Sequence, residues 1–300
     1  VVAFLPPVIA CSAGAKVTQI WPNARRGRPL ASEDDVADLA FLPGGDRLVA
    51  IGARGRITVW SLTSHRTELT FTVPGAERLS ILDTEVFPDG ERIVTLMCGQ
   101  LLFIWNVSTG ELLQNVSSPA QHMDVKVLHP GDRLATGIAD TADDEGVRIL
   151  NTSHGRLLHV LKHIEGRVFA LKASTCGEKL ITAIKTAILV WDVVTGSMQL
   201  RLAVSMPGWW APEIAISRGG KRIFAKFGKH ISIWNSTSNQ ACMTLVAKSS
   251  IQRFVLLGDG RQVAVFTNRE AFVMDVDTGK RLVDLDSGYV DDDKAVVVAS

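Results

Sequence analysis

The sequence predicts an all-β chain, a seven-bladed β-propeller of four-stranded antiparallel blades, and three observations predict it. A short apolar stretch ending in a large side chain and a polar turn recurs seven times along the 300 residues. A glycine followed by charged residues recurs in phase with it. The apolar residues between these markers show no 3.6-residue period, as helices would require, and are rich in β-branched types.

The first marker is clearest in "AILVWDVVTG", Ala187 to Gly196. Its relatives are "VTQIWPN", "ITVWSLTS", "LLFIWNVSTG", "VRILNTSHG", "ISIWNSTSN" and "AFVMDVDTG". The anchors are Trp21, Trp60, Trp105, Leu150, Trp191, Trp234 and Met274, with successive separations of 39, 45, 45, 41, 43 and 40 residues. The glycines of the second marker stand at 45, 90, 131, 177, 220 and 260, and the next anchor follows after 15, 15, 19, 14, 14 and 14 residues. The one long interval holds "ADTADDEG", which reads as a loop insertion.

Each copy then resolves in order. Before the glycine stands a short apolar strand, as in "VADLAF", "LDTEVF" or "DVKVL"; after it comes a second, such as "RLVAIG" or "KLITAI". The anchor strand is third, and a weaker strand such as "ELLQNV" or "RLLHVL" is fourth. Four strands of about five residues with short turns consume about 40 residues. A strand with one wet face alternates apolar and polar residues, so unbroken "AILVW" and "LLFIW" indicate sheets covered on both faces. The Asp or Asn after the anchor starts a turn by bonding nearby amides, and Gly110, Gly155, Gly196 and Gly279 complete it.

Sheets that each need cover on two faces are satisfied by closing them around an axis. The chain, 1–300, therefore reads as one propeller, with blades at about 1–32, 33–74, 75–118, 119–162, 163–204, 205–247 and 248–286. Residues 287–300, with "KAVVVAS", are left as a surplus or seam-closing strand, and eight blades is the second reading.

These residues resemble the WD-repeat β-propeller family over essentially the whole chain. The repeat length agrees, and Trp191-Asp192 matches the Trp-Asp that closes the family's third strand. Asn replaces Asp after Trp105 and Trp234, and Ser61 follows Trp60. The family's Gly-His pair is represented only by His163 in "LKHIEGRV", with Lys162 at the glycine position. The set is a divergent one, similar to the propellers of NACHT and WD-repeat signalling proteins. That resemblance implies a protein-binding scaffold in the cytoplasm, with an ATPase domain attached in the full-length chain.

Composition excludes several classes. A formal net charge of +1 supplies no basic excess for a nucleic-acid surface, and no apolar run reaches membrane-spanning length. The uncharged opening "VVAFLPPVIACSAGA" resembles a signal segment, but it has no basic leader and the repeat already accounts for it. The absence of an initiator Met suggests a piece of a longer chain. Cys11, Cys98, Cys176 and Cys242 are far apart and form no CxxC pair, so buried free thiols are expected.

No catalytic constellation is present. None of the seven histidines lies in HExxH, and neither GxSxG nor a phosphate-cradling loop occurs. Neither a metal nor a cofactor is expected. Asp38, Asp83, Asp124 and Glu213 on first strands keep open a second reading, a hydrolase or quinone-dependent oxidoreductase at a channel mouth. The strongest contact candidates are rim loops. "SMPGWWAPE" sets Trp209 and Trp210 between Pro207 and Pro212, and an exposed Trp is a common binding anchor. Asp140, Asp143, Asp144 and Glu145 form an acidic patch, without the alternation of a calcium loop. Arg25, Arg26 and Arg28 read as a solvated turn. The expected function is a protein-interaction scaffold acting through rim loops.

Overall fold

The computed structural model describes residues 8–12, 15–22, 30–52, 54–75, 81–98, 101–117, 122–138, 146–161, 168–204, 213–238, 240–285 and 296–299. The chain divides into two compact units, residues 1–78 with 247–300, and residues 79–246.

The first unit begins with β1 (Val8–Ser12), β2 (Ala15–Pro22), β3 (Leu30–Phe41), β4 (Arg47–Gly52), β5 (Arg56–Ser61) and β6 (Arg66–Thr72). The second holds four meanders. They are β7 (Ile81–Val86), β8 (Arg92–Met97), β9 (Leu101–Asn106) and β10 (Leu112–Ser117); then β11 (His122–Leu128), β12 (Arg133–Ile138), β13 (Val147–Asn151) and β14 (Leu157–Leu161). Next come β15 (Ala170–Ala173), β16 (Lys179–Ile184), β17 (Ala187–Asp192) and β18 (Met198–Ala203), and β19 (Ile214–Ile216), β20 (Arg222–Phe227), β21 (His230–Asn235) and β22 (Ala241–Val246). The chain then returns to the first unit with β23 (Ile251–Leu257), β24 (Gln262–Thr267), β25 (Ala271–Asp275), β26 (Arg281–Leu285) and β27 (Val296–Ala299).

Every strand pairing among the described residues is antiparallel, and the sheets have the repeat architecture of β-propeller blades. Their number corrects the expected seven: the described residues form six sheets, five of four strands and one of seven, in the order β27-β1-β2-β3-β4-β5-β6. The two blades expected at 1–32 and 33–74 run together through β3. This 12-residue strand pairs with β2 at Leu30, Ala31 and Asp35, and with β4 from Val36 to Phe41. The cause is local, because "LASEDDVADLAF" contains no glycine or proline to turn the chain. The strand expected as surplus pairs with β1, Ile9 opposite Ala299.

In the second unit the apolar strands bury both faces, as their composition requires. All five residues of "AILVW" are buried. One core cluster joins Phe87, Leu96 and Leu102 of the first meander to Val125, Leu134 and Leu150 of the second. Another joins Leu128, Ile149 and Leu161 to Leu171, Leu180 and Trp191. A third carries Ile181, Ile188 and Val190 on to Ile214, Ile223 and Ala225.

Turn chemistry follows the sequence. Asn106 Oδ1 accepts the amides of Ser108 and Thr109, both at 2.9 Å, and Asp192 Oδ1 accepts those of Val194 and Thr195 at 2.9 and 2.8 Å. In the turns between first and second strands the glycine N–H donates three residues back, as Gly177 does to Ser174 at 2.9 Å. Gly177 has φ +74°, and a Cβ there would lie 2.6 Å from the carbonyl oxygen of His129, so no other residue fits without displacement.

The anchors reveal a detail of the core. Trp105 Nε1 donates to Thr95 Oγ1 and Trp191 Nε1 to Thr182 Oγ1, each at 3.1 Å. Thr95 pairs with the residue two before its anchor, and so does Thr182. Thr136 occupies the same register position opposite Arg148, but its anchor is Leu150, which has no N–H to give. Its buried hydroxyl has no hydrogen-bond partner. Thr136→Val is therefore expected to stabilise the chain by about 1–2 kcal/mol, whereas Thr182→Val leaves the Trp191 indole N–H unpaired and costs about as much. Urea denaturation of the two variants checks the opposite signs; equal destabilisation would contradict it.

Candidate functional site

The first strands carry the densest ionisable chemistry among the described residues. Four of them bulge at the same place, with one extra residue just before Asp38 in β3, Asp83 in β7, Asp124 in β11 and Arg253 in β23. A bulge re-aims the side chains around it. In β7 and β11 the result is a compact cluster.

Lys126 lies at its centre and is 5% exposed. Its Nζ meets Asp83 Oδ2 at 2.8 Å, Glu85 Oε1 at 2.6 Å and Asp124 Oδ1 at 2.9 Å, and donates to the Val125 carbonyl at 2.6 Å. Each aspartate also reaches main chain. Asp83 Oδ2 accepts the Val125 N–H at 2.9 Å, tying β7 to β11. Asp124 Oδ2 accepts the Leu171 N–H at 2.8 Å, tying β11 to β15.

This geometry separates the two carboxyls. Burial pushes Asp124 up to about 7, with the neighbouring Asp83 charge adding to it against the pull of Lys126 and Lys172. Burial also acts on Asp83, but the Lys126 ammonium and the Val125 amide outweigh it and hold Asp83 near 2. Burial would lower Lys126, yet Glu85, Asp124 and Asp83 together hold it well above its ordinary value. Lys126 thus stays an ammonium, which makes it the cation these carboxylates hold and removes it as a nucleophile, since nucleophilic attack needs the free amine.

Two blades on, just before β19, Glu213 Oε2 makes a simpler pair with Lys226 Nζ of β20 at 3.1 Å. Asp38 Oδ1 accepts the Leu39 N–H at 2.9 Å. The first strands noted in the sequence thus bring Asp83 and Asp124 together; the spacing gave no sign of Lys126 as their partner or of the bulges that aim them.

The loop candidates Asp140, Asp143, Asp144 and Glu145, and Trp209 and Trp210, lie outside the described residues, as do Arg25, Arg26 and Arg28. Trp21 lies in β2, opposite Ile9. Trp60, Trp105, Leu150, Trp191 and Met274 are buried, and Trp234 is half-buried with its ring edge-on to Phe227 at 6.4 Å. Contrary to the expectation of buried thiols, Cys176 and Cys242 are exposed and Cys98 is half-buried; all three are free. Among the described residues no helix is long and apolar enough to cross a membrane.

The fourth strands form a second surface feature. All six bulge opposite the anchor, with Glu68, Leu113, Leu158, Gln199, Cys242 and Leu282 as the extra residues. In three successive sheets of the second unit the heads of these strands expose Leu112 and Leu113, Leu157 and Leu158, and Met198. Neighbouring sheets approach closely here: a Cβ on Gly155 would meet Val116 at 2.8 Å, and one on Gly196 would meet Leu161 at 3.4 Å.

No protein-family model matches the chain, and no curated protein matches it significantly.

Proposed function

We propose that this chain is a non-enzymatic protein–protein interaction scaffold. In this reading it is a divergent WD-repeat propeller and a segment of a larger cytoplasmic signalling protein, with an ATPase domain attached. The observation that carries the scaffold reading is the repeated apolar head of the fourth strands, Leu112–Leu113, Leu157–Leu158 and Met198, exposed on three adjoining sheets. Contiguous exposed apolar surface marks a contact region. The bulges opposite the anchors twist these edge strands out of regular pairing, which disfavours simple strand addition and favours recognition by side chains. The WD-repeat and signalling parts rest on the repeat period and on Trp191-Asp192.

The segment "SMPGWWAPE" joins β18 to β19 in the same unit and supplies the aromatic anchors of the contact, Trp209 and Trp210; "ADTADDEG" supplies its acidic part, Asp140, Asp143, Asp144 and Glu145. Trp209→Ala/Trp210→Ala is expected to weaken a partner by about 2 kcal/mol or more, roughly thirtyfold in Kd. The test is quantitative affinity capture by the chain and the double variant side by side, with circular dichroism confirming an unchanged fold. Identical capture by both would remove this loop from the contact. A stoichiometric metal in elemental analysis, accompanied by hydrolytic turnover, would replace the scaffold reading with an enzymatic one.

A further inference from the structure

The turns between first and second strands repeat one charge pattern and leave it unanswered at one place. The residue after the turn glycine is Asp46, Glu91, Asp132 or Glu178, and a cation then opens the next strand, Arg47, Arg92, Arg133 or Lys179. Acids of these turns meet the cations, Asp89 with Arg92 at 2.6 Å and Asp132 with Arg133 at 3.3 Å. In the last turn Arg261 takes the acid's place, paired with Asp259 at 3.2 Å. In "SRGGKR" Lys221 takes it, Arg222 opens the strand, and Arg218 stands before the glycines with no acid in the turn. The sheet this turn belongs to, β19 to β22 over residues 214–246, holds five Lys or Arg and no Asp or Glu, whereas every other four-stranded sheet carries acids. We infer that this turn is a docking surface for an acidic segment, a short run of Asp and Glu side chains, of a partner protein; the inference rests on the scaffold reading and names the partner's chemistry.

The turn presents its cations on a fixed main chain. Arg218 and Lys221 are exposed, and among the described residues no carboxylate pairs with either. The Arg218 carbonyl accepts the Thr175 hydroxyl of the preceding sheet at 2.7 Å. The Ser217 carbonyl accepts the Gly220 N–H at 2.8 Å, and the Lys221 carbonyl accepts the Ser236 N–H at 2.9 Å. Lys179 reaches across from β16, its Nζ 2.8 Å from Ser236 Oγ, so a third cation lies against the same turns. A Cβ on Gly219 would meet nothing within 4 Å, which leaves room for a ligand to approach. A main chain already held in place reduces the ordering cost of binding. The acids of the preceding sheet at this end are Glu178, which is exposed, and Asp192, whose Oδ1 is occupied by the Val194 and Thr195 amides. The cationic surface is therefore one turn wide, because the equivalent positions of the other turns in this unit are Glu91, Asp132 and Glu178. A nucleic acid, which needs neutralised phosphates along its length, would run into these acids. A short acidic peptide meets only the cations, and opposite charges across the contact set its register.

The experiment follows the fluorescence anisotropy of a fluorescein-labelled oligoglutamate of about ten residues, titrated with the chain at about 0.1 M salt. Saturable binding is expected. Lys221→Glu, which restores the acid of the other turns, and Arg218→Ser are each expected to weaken it about tenfold or more. Lys229→Glu makes the same charge change in the turn between β20 and β21, at the opposite end of the sheet. The six residues of β20 span about 20 Å, beyond the screening length of about 10 Å, so this variant is expected to keep its affinity within about twofold. Circular dichroism checks that each variant is folded. Absence of oligoglutamate binding by the unaltered chain overturns the inference. So does an equal loss with Lys229→Glu, which would mean a response to net charge alone. Tighter binding of an oligothymidylate of the same length also overturns it, by assigning the surface to nucleic acid. Trp209→Ala/Trp210→Ala is expected to keep its oligoglutamate binding, so failure of this surface and failure of the scaffold contact are read separately.

Discussion

Trp191→Ala is expected to lower unfolding stability by about 3–5 kcal/mol, and Trp105→Ala by a similar amount, the range for large core truncations. Trp191 is 4% exposed, and its cluster takes in Leu161 from the preceding sheet together with Leu180 and Leu189 from its own. Removing the indole opens a cavity in this shared core. It also deletes the donor to Thr182, leaving another buried hydroxyl in the condition of Thr136. Trp191→Phe separates the two contributions, because it keeps much of the volume and loses only the donor. Trp234 supplies the contrast: it is half-buried, so Trp234→Ala costs less. Urea denaturation of the four variants measures the ordering. A loss below about 1 kcal/mol for Trp191→Ala would mean that the anchor does not fill the core.

The sequence carried the parts of this architecture whose causes are local. The turn after four of the anchors is set by an Asp or Asn and a glycine four residues later, and Asn106, Asn151, Asp192 and Asp275 all accept turn amides as that pattern requires. Burial on both faces was legible in "AILVW" because an unbroken apolar strand tolerates no wet side. The number of sheets was misread for an equally local reason. The anchors Trp21 and Trp60 keep their phase, so the count of anchors gave seven units. The separation into sheets depends on a turn between them, and residues 30–41 supply none.

The cluster around Lys126 was hidden because its parts come from different copies. Asp83 and Asp124 are 41 residues apart, close to one repeat, so their meeting follows from stacking and not from sequence proximity. "DVKVL" looks like an alternating strand with solvated Asp and Lys. The bulge before Asp124 changes which way these residues face, and no residue type announces it. The apolar fourth-strand heads read as weak strands for a related reason: their second residue is an insertion opposite the anchor, visible only in the pairing register.

Lys126→Met is expected to cost about 3–5 kcal/mol at pH 8, because removing one partner from a buried ion cluster leaves the others uncompensated. Methionine preserves most of the volume, so the loss reports charge. The carboxylates would then lose the ammonium they share, and each would resist ionisation. Raising their folded-state proton affinity above that of the unfolded chain has a definite sign: the folded state binds more protons, so stability is retained at low pH and lost as pH rises through the folded-state values. In the unaltered chain Asp124 already behaves this way, contributing stability below about 4 that fades as pH approaches about 7, while Asp83, held near 2, contributes above about 4. Lys126→Met extends the first behaviour to the whole cluster. The gap between variant and unaltered chain should therefore be widest at pH 8 and shrink markedly by pH 5, where the carboxyls can protonate. Urea midpoints at the two pH values measure it. A gap of the same size at both would show that the lysine contributes packing alone, and that the carboxylates around it do not depend on its charge.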